Sequence, residues 1–288
     1  MRDDSPGSAV NPSSATQPII TFLSDYGLQD EFVGVCHGVI ARRCPQARVI
    51  DLTHGIPPYD VRAGALVLAA ALPHVPAGVH LAVVDPHVGA VGTHARRAVV
   101  LRTATEERLL VGPDNGLLML AAERFGGAVQ AVDISRSREP AASSSRTFDG
   151  RDLFAPVAAS LAAGERLAAT GSELDIEQLR RLQLPVARLS DGALLTHVLH
   201  GDRFGNLILD ASPEQLAALD ARAGGTLEVH HGGRVHAARL ASTFADVPVG
   251  ELLMYEDAQH MVALAVNQGS AAQLLAAARD DQLLVRPV

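Results

Sequence analysis

Residues 19–53, IITFLSDYGLQDEFVGVCHGVIARRCPQARVIDLT, decide the fold of this chain. The segment opens with an apolar run, IITFLS, continues into a pattern of helical period, EFVGVCHGVIARRC, and closes with a second apolar run, RVIDLT. A strand, a helix and a second strand in this order are typical of a βαβ unit, whose two strands lie parallel in one sheet. The segment therefore predicts an α/β fold.

The same alternation continues to about residue 164. Further strands are predicted at VHLAVVDP, RAVVLRTA, RLLVGPD and VQAVDI, and further helices at VRAGALVLAAAL, LLMLAAERFG and LFAPVAASLAAG. This pattern predicts a mostly parallel sheet with helices packed on it. Because ligands bind beyond the carboxyl ends of such strands, Asp25, Asp51 and Asp85, which end predicted strands, are candidates for a site.

A second kind of pattern begins after residues 165–188, where short apolar runs alternate with turn residues. The segment GTLEVHHGGRVHAARL predicts a hairpin, with Gly232 and Gly233 at its turn. We therefore place an α/β domain at residues 18–180 and a mostly β domain at 186–288. Residues 1–17 are expected to form a disordered tail, and their acids do not fit a signal peptide.

Composition excludes several classes of protein. A net charge of −8, with three tyrosines, seven phenylalanines and no tryptophan, argues against a nucleic-acid partner. The longest apolar run, AGALVLAAAL, is too short to span a bilayer, so no membrane partner is expected. Cys36 and Cys44 lie in one predicted helix, where they cannot form a disulfide, and we expect a cytoplasmic protein.

Common cofactor and metal motifs are absent from the sequence. There is no G-x-G-x-x-G after a strand, no P-loop, no H-E-x-x-H and no G-x-S-x-G. The chain has twelve histidines, but their spacing matches no established zinc pattern, and we expect no metal. In RTFDGRDLFAP, residues 146–156, local sequence favours Asp149 as the N-cap of a helix over a role in a site.

Seven segments together resemble one protein family. They are TFLSDYG, DLTHGIPPYDVRAGALVL, VHLAVVDPHVG, LLVGPDNGLL, TFDGRDLFAP, GDRFGNLIL and AVNQGSAA, and they lie between Thr21 and Ala272. For FLSDYG, VVDPHVG, GDRFGNLIL or AVNQGSAA taken alone, turn or capping chemistry is at least as good an explanation as function. In this order they resemble the S-adenosyl-L-methionine (SAM) hydroxide adenosyltransferases, which are SAM hydrolases that share a fold with the fluorinase and the chlorinase.

The resemblance implies a Rossmann-like N-terminal domain, a small C-terminal β-barrel and a homotrimer. SAM would bind between the N-terminal domain of one subunit and the C-terminal domain of its neighbour. By motif, Asp25 matches the residue that binds the ribose hydroxyls, and Tyr59 matches an aromatic wall beside the nucleoside. Asp202 and Asn206 match groups that hold the methionine end, and Asn267 matches the segment that binds adenine.

The resemblance also implies a catalytic set in which Asp85 works with an arginine and a histidine. The arginine matches Arg96, with Arg97 as the second choice. The histidine position of the family motif TFHGRD holds Asp149 here, and His87 stands where the family motif DPGVG has glycine. Two interpretations remain open: His87 pairs with Asp149 beside the nucleophile, or His87 faces solvent while Asp149 caps the helix.

The resemblance predicts hydrolysis of SAM to adenosine and L-methionine by in-line attack of activated water at the ribose C5′. The sulfonium is a good leaving group, so this displacement needs neither an acid nor a metal, and we expect no cofactor. The halogenases resemble one another in having a tyrosine at the position that Asp85 occupies here. The negative charge of Asp85 would repel a halide, so Asp85 favours hydrolysis. The alternatives are a SAM- or adenosine-binding protein with little turnover and, third, a SAM-dependent halogenase.

Overall fold

A computed structural model describes residues 17–137, 145–219, 221–222 and 224–288 of the protein. The predicted disordered tail lies outside the described residues, apart from Gln17. The chain divides into two compact units, the first ending at Leu182 and the second beginning at Gln183. Within the described ranges, no helix is both long enough and apolar enough to cross a membrane.

The first unit combines one seven-stranded sheet with helices on both of its faces. Its strands are β1 (Ile19–Ser24), β2 (Arg48–Thr53), β3 (Val79–Val83), β4 (Ala98–Thr103), β5 (Leu109–Pro113), β6 (Ala128–Asp133) and β7 (Ser172–Leu174). Its helices are α1 (Phe32–Arg43), α2 (Val61–Ala71), α3 (Met119–Glu123) and α4 (Ala155–Ala162), with a π-helical turn, Gly150–Phe154, before α4. Short 3₁₀ turns lie at Leu72–His74, Gly92–His94, Leu167–Ala169 and Ile176–Gln178.

The sheet has the order β2-β1-β3-β5-β4-β6-β7. Strands β2, β1, β3 and β5 are parallel, as the βαβ pattern predicts, whereas β4, β6 and β7 pair antiparallel, so the sheet is mixed. The five residues 104–108 that join β4 to β5 explain the change of direction. Parallel neighbours need a crossover of a dozen or more residues, and this connection is too short for one.

Alternation along β1 places the core on both faces of the sheet. Phe22 packs with residues of α1 and α4, and Leu23 packs with residues of α2 on the opposite face. Both side chains are fully buried. Because successive strand residues point to opposite faces, this short apolar run holds two helical layers on one strand.

A polar contact lies inside the first unit at the fully buried His80 of β3. Arg108 Nη1 lies 3.2 Å from His80 Nε2, and Thr21 Oγ1 lies 2.8 Å from His80 Nδ1. Arginine can only donate, so Nε2 accepts, and Nδ1 carries the proton that it donates to Thr21. Burial, with the charge of Arg108, lowers the pKa of His80 to about 3, which keeps the ring neutral.

The second unit contains a closed barrel. Its strands are β8 (Arg188–Ser190), β9 (Ala193–Gly201), β10 (Leu207–Leu209), β11 (Thr226–His231), β12 (Arg234–Leu240), β13 (Leu252–Glu256), β14 (Val262–Val266) and β15 (Gln282–Pro287). Its helices are α5 (Pro213–Ala217) and α6 (Ala271–Leu275), with a 3₁₀ turn at Phe244–Asp246. Pairing of β9 with β10 closes seven strands into the barrel, and β8 pairs outside the ring.

The predicted fold class is confirmed: a mixed α/β unit is followed by a β-barrel. The predicted hairpin joins β11 to β12, with positive φ angles of 56° and 77° at Gly232 and Gly233. These angles fit a two-residue hairpin turn that only glycine and a few polar residues adopt without strain.

Candidate active site

Asp25 follows directly after β1, at the carboxyl end of the parallel strands. Its Oδ2 accepts a hydrogen bond of 2.8 Å from the backbone N–H of Tyr59, whose φ is 67° and whose side chain is exposed. Burial raises the pKa of Asp25, the Tyr59 N–H opposes that rise, and the charge of nearby Asp85 adds to it. The site therefore holds a partly buried carboxylate bound to the backbone of a residue whose aromatic side chain is exposed.

Asp85 lies two residues beyond β3, and Arg96 lies two residues before β4. Arg96 donates to Asp85 Oδ2 from Nε at 2.8 Å and from Nη2 as well. The side chains of Asp85 and Arg96 are only 5% and 7% exposed. Strand order brings them together, because β3 and β4 both flank β5 in the sheet.

Asp149, which directly precedes the π-helical turn, completes this arrangement. Arg96 Nη2 donates to Asp149 Oδ2 at 2.6 Å, and the Arg96 guanidinium lies over the ring of Phe154 from the same turn. The expectation that Asp149 caps the helix is wrong, because its side chain makes no capping hydrogen bond and its φ and ψ, −63° and −25°, are already helical. The Asp149 carboxylate binds Arg96 instead of the helix N-terminus.

The cluster Asp85–Arg96–Asp149 has two carboxylates and one guanidinium. Burial by itself would lower the pKa of Arg96, but its hydrogen bonds to Asp85 and Asp149 and their charges outweigh burial and raise it. Arg96 therefore stays protonated. With both carboxylates ionised, the cluster has a formal charge of about −1, placed where water has little access.

Arg97 is held away from this cluster. Its Nε donates to Asp114 Oδ2 at 2.9 Å, and its Nη2 donates to the backbone carbonyl of Gln178. Of the two arginines that the sequence offered, Arg96 is the one that contacts Asp85 and Asp149.

Tyr26 is a residue of this region that the sequence analysis missed. Burial raises its pKa well above the usual value, and the negative charges of Asp25, Asp85 and Asp149 are among the further causes. A Cβ placed on Gly150 would lie 2.1 Å from the Tyr26 hydroxyl oxygen. The Tyr26 phenol therefore stays neutral and fixes how closely the Asp149 turn approaches β1. Its position beside Asp25 in FLSDYG was the only available signal.

The loop that follows Asp85 packs on the segment that precedes Asp149. Gly89 has a φ of 73°, and a Cβ there would lie 2.5 Å from the carbonyl oxygen of Arg146. His87, in the same loop, is exposed, and its backbone N–H donates to Asp85 Oδ1 at 3.3 Å. The pairing of the His87 ring with Asp149 stays a prediction.

Asp202, Asn206 and Asn267 lie on two loops of the second unit. Asp202 accepts from the Asn206 backbone at 2.9 Å and from Asn206 Nδ2 at 2.7 Å, while Asn267 Nδ2 donates to the Val247 carbonyl at 2.8 Å. The two loops pack together, since a Cβ on Gly205 would lie 2.1 Å from Ser270 Oγ. The structure thus brings the GDRFGN and AVNQGS segments side by side.

Comparison with known proteins identifies the family of this chain. Residues 20–171 match the model of the SAM hydroxide adenosyltransferase N-terminal domain, and residues 196–284 match that of the C-terminal domain. The chain therefore belongs to the SAM hydroxide adenosyltransferase family, and the family prediction from the sequence is confirmed.

The chain is similar to both branches of this fold, but not equally. It is 48% identical to an (R)-S-adenosyl-L-methionine hydrolase of Salinispora arenicola, over 94% of this chain and 98% of that protein. It is 28% identical to a fluorinase of Nocardia brasiliensis, over 91% of this chain and 95% of that protein. Among solved structures, an uncharacterized conserved protein from Thermotoga maritima superposes with a TM-score of 0.84 at 34% identity, covering 93% of this chain and 99% of that one.

Proposed function

We propose that the protein hydrolyses SAM to adenosine and L-methionine, by in-line attack of water at the ribose C5′. The observation that carries this proposal is the cluster in which Arg96 is held between the nearly inaccessible carboxylates of Asp85 and Asp149. The cluster stands at the carboxyl end of the sheet with Asp25, where an α/β fold binds its ligands. The similarity to the Salinispora hydrolase supports the same reaction.

Each residue of the first unit has a role in this proposal. Asp25 accepts hydrogen bonds from the ribose hydroxyls, and Tyr59 covers the nucleoside. Asp85 Oδ2 is occupied by Arg96, whereas Oδ1 accepts only the long 3.3 Å bond from His87 N–H among the described residues. Oδ1 is therefore the atom that accepts a proton from the attacking water. Arg96 orients that water, and Asp149 positions Arg96.

The charge of the cluster favours hydrolysis over halide transfer. A site with a charge of about −1 attracts the sulfonium cation of SAM and repels fluoride or chloride. Water carries no charge and suffers no such repulsion. The sulfur leaves as a neutral thioether with the electrons of the broken C5′–S bond, so the step needs no cofactor and no metal.

We also propose that Asp202 and Asn206 bind the methionine end of SAM and that Asn267 binds adenine. The family resemblance supports a homotrimer in which the second unit of a neighbouring subunit completes each site. Mixing Asp85→Asn subunits with Asn267→Ala subunits, each first shown to lack activity alone, tests this arrangement. Recovered activity in the mixture supports shared sites, and no recovery contradicts them. Two buried free cysteines, Cys36 and Cys44, support a cytoplasmic location.

The decisive experiment is a product assay in water enriched in oxygen-18. We expect methionine and an adenosine that carries the heavy oxygen at C5′, with the Asp85→Asn variant as the inactive control. Separate reactions with each sulfonium epimer of SAM identify the substrate epimer, since the Salinispora relative is named for the (R) form. Bound SAM without product would favour a binding protein, and a 5′-halo-adenosine formed only with halide would favour a halogenase.

A further inference from the structure

A second cluster of chemically active side chains lies outside the proposed catalytic set. It contains His37 of α1, Asp51 of β2 and His54, which directly follows β2. His37 Nε2 lies 2.9 Å from Asp51 Oδ1, and His54 Nε2 lies 3.1 Å from the same oxygen. One ligand atom from each residue falls within 4.8 Å of the others. None of the three belongs to the Asp85–Arg96–Asp149 cluster.

His54 is the unusual member of this second cluster. Its side chain is 2% exposed, yet its Nε2 has no hydrogen-bond partner among the described residues, despite the nearby Asp51 oxygen. The approach to Asp51 is close, but its direction is wrong for an N–H donor. The other ring nitrogen, Nδ1, lies 2.7 Å from Ser24 Oγ, which fixes the orientation of the ring. A buried nitrogen without a partner carries a cost that a ligand would remove.

We propose that His37, Asp51 and His54 bind a divalent transition-metal ion of the zinc class. The donors are two imidazole nitrogens and one carboxylate oxygen, which is the set that zinc accepts when it keeps a fourth position for water. Zinc ligands at their usual bond lengths stand about 3.4 Å apart. The two contacts to Asp51 Oδ1, at 2.9 Å and 3.1 Å, need to lengthen only slightly, and the two imidazole nitrogens lie within 4.8 Å of each other. This proposal revises the expectation, drawn from sequence spacing, that the chain holds no metal.

The surroundings of the cluster fit such a site. Ser24 holds the second ring nitrogen of His54, which is how metal-binding imidazoles are commonly oriented. The side chains of His37 and Asp51 are 35% and 40% exposed, which gives an ion and its water a route from solvent. A bound ion would join α1, β2 and the residue after β2, so metal binding would stabilise the first unit.

The test uses the full chain, freed of metal with a chelator and titrated with Zn²⁺ alone by calorimetry. We expect one equivalent of Zn²⁺ to bind and to raise Tm. His37→Ala and Asp51→Asn should each weaken binding by at least about 100-fold, since even the loss of an outer partner can cost that factor. The matched control is His230→Ala, which removes a histidine that pairs with Glu228 at 3.0 Å, and binding should be unchanged.

Two results would overturn the proposal: no stoichiometric binding by the unaltered chain, or equal affinity in the His37→Ala and Asp51→Asn variants. Both residues are partly exposed, so neither substitution empties the core. His54→Ala removes a buried side chain and is interpreted only if circular dichroism shows a folded chain. Co²⁺ gives an independent readout, because its visible absorption reports a tetrahedral site and should disappear in the same two variants.

Discussion

Arg96 Nη2 donates a hydrogen bond to Asp149 Oδ2 over 2.6 Å, although 53 positions separate the two residues in the chain. The Asp149→Asn variant keeps an oxygen acceptor at this position but removes its charge. We expect kcat to fall roughly 10- to 100-fold, with a smaller change in KM, because Arg96 and the water that it orients lose part of their support. Initial rates over a range of SAM concentrations measure both parameters.

Asp114→Asn is the matched control for Asp149→Asn. It alters another low-exposure carboxylate that pairs with an arginine, Arg97, outside the proposed catalytic cluster. Stability should fall while kcat is retained. A loss of kcat as large as that of Asp149→Asn would show that damage to the fold, rather than to the site, explains both.

A second prediction separates binding from chemistry. Asp85→Ala should lower kcat by at least about 100-fold with little effect on SAM affinity, because it removes the proton acceptor of the attacking water. Asp25→Ala should instead raise KM about 10- to 100-fold, because it removes a charged acceptor of hydrogen bonds. Equal losses of both parameters in both variants would contradict these roles.

Sequence reasoning found the part of the site that follows from the ends of strands. The sequence identifies Asp25 and Asp85 as candidates, because parallel strands expose their carboxyl ends at one edge of the sheet. Local sequence favours Asp149 as a helix cap, because it holds no record of Arg96, which the fold brings from just before β4. Only the family resemblance indicates that Asp149 belongs with Arg96. Local sequence also cannot predict the close approach of Gly150 to Tyr26, because that contact depends on packing between distant segments. The buried Nε2 of His54 has no sequence signal at all.

A third prediction concerns the pH dependence of SAM binding. Burial raises the pKa of Asp25, so it takes up a proton at a higher pH than an ordinary aspartate, for which the pKa is about 4. The protonated form loses its charge, and KM should increase as pH falls through the raised pKa. In Asp25→Asn, KM should be high throughout, without this increase. KM is measured for the unaltered chain and for Asp25→Asn, from neutral pH down to the lowest pH at which both chains stay folded.

The same shift in pKa affects stability with a defined sign. A raised pKa in the folded state means that the carboxyl stabilises the fold below its unfolded pKa and loses that effect as pH rises through the folded pKa. Asp25→Asn should therefore have a higher Tm than the unaltered chain at neutral pH, and the gain should shrink in acid. A lower Tm at neutral pH would show that Asp25 stabilises the fold in its charged form.

A fourth prediction tests the contact between Gly150 and Tyr26. Gly150→Ala places a methyl group 2.1 Å from the Tyr26 hydroxyl oxygen, which should cost about 1–3 kcal/mol of stability and move Asp149 away from Arg96. Tyr26→Phe removes that oxygen, so the double variant should recover part of the loss in both Tm and kcat. Additive losses in the double variant would show that the two residues do not interact.

The last prediction concerns His80, which is fully buried and neutral in the fold. Its pKa is about 3 in the folded chain, because of burial and the charge of Arg108, against about 6.5 for an unfolded histidine. Between about pH 3 and pH 6.5, His80 therefore binds a proton in the unfolded chain but not in the folded chain. His80 stabilises the fold fully above about pH 6.5, and this contribution declines by up to about 1.4 kcal/mol per pH unit as pH falls toward 3.

Urea unfolding at several pH values between 8 and 4 measures this decline. His80→Gln offers an amide in place of the ring and does not titrate, so it should be less stable at pH 8 but lose less stability on acidification. The difference between the two chains removes the effect of the carboxylates, which both share. Parallel stability curves for the two chains would mean that the buried ring accepts a proton as readily when folded as when unfolded.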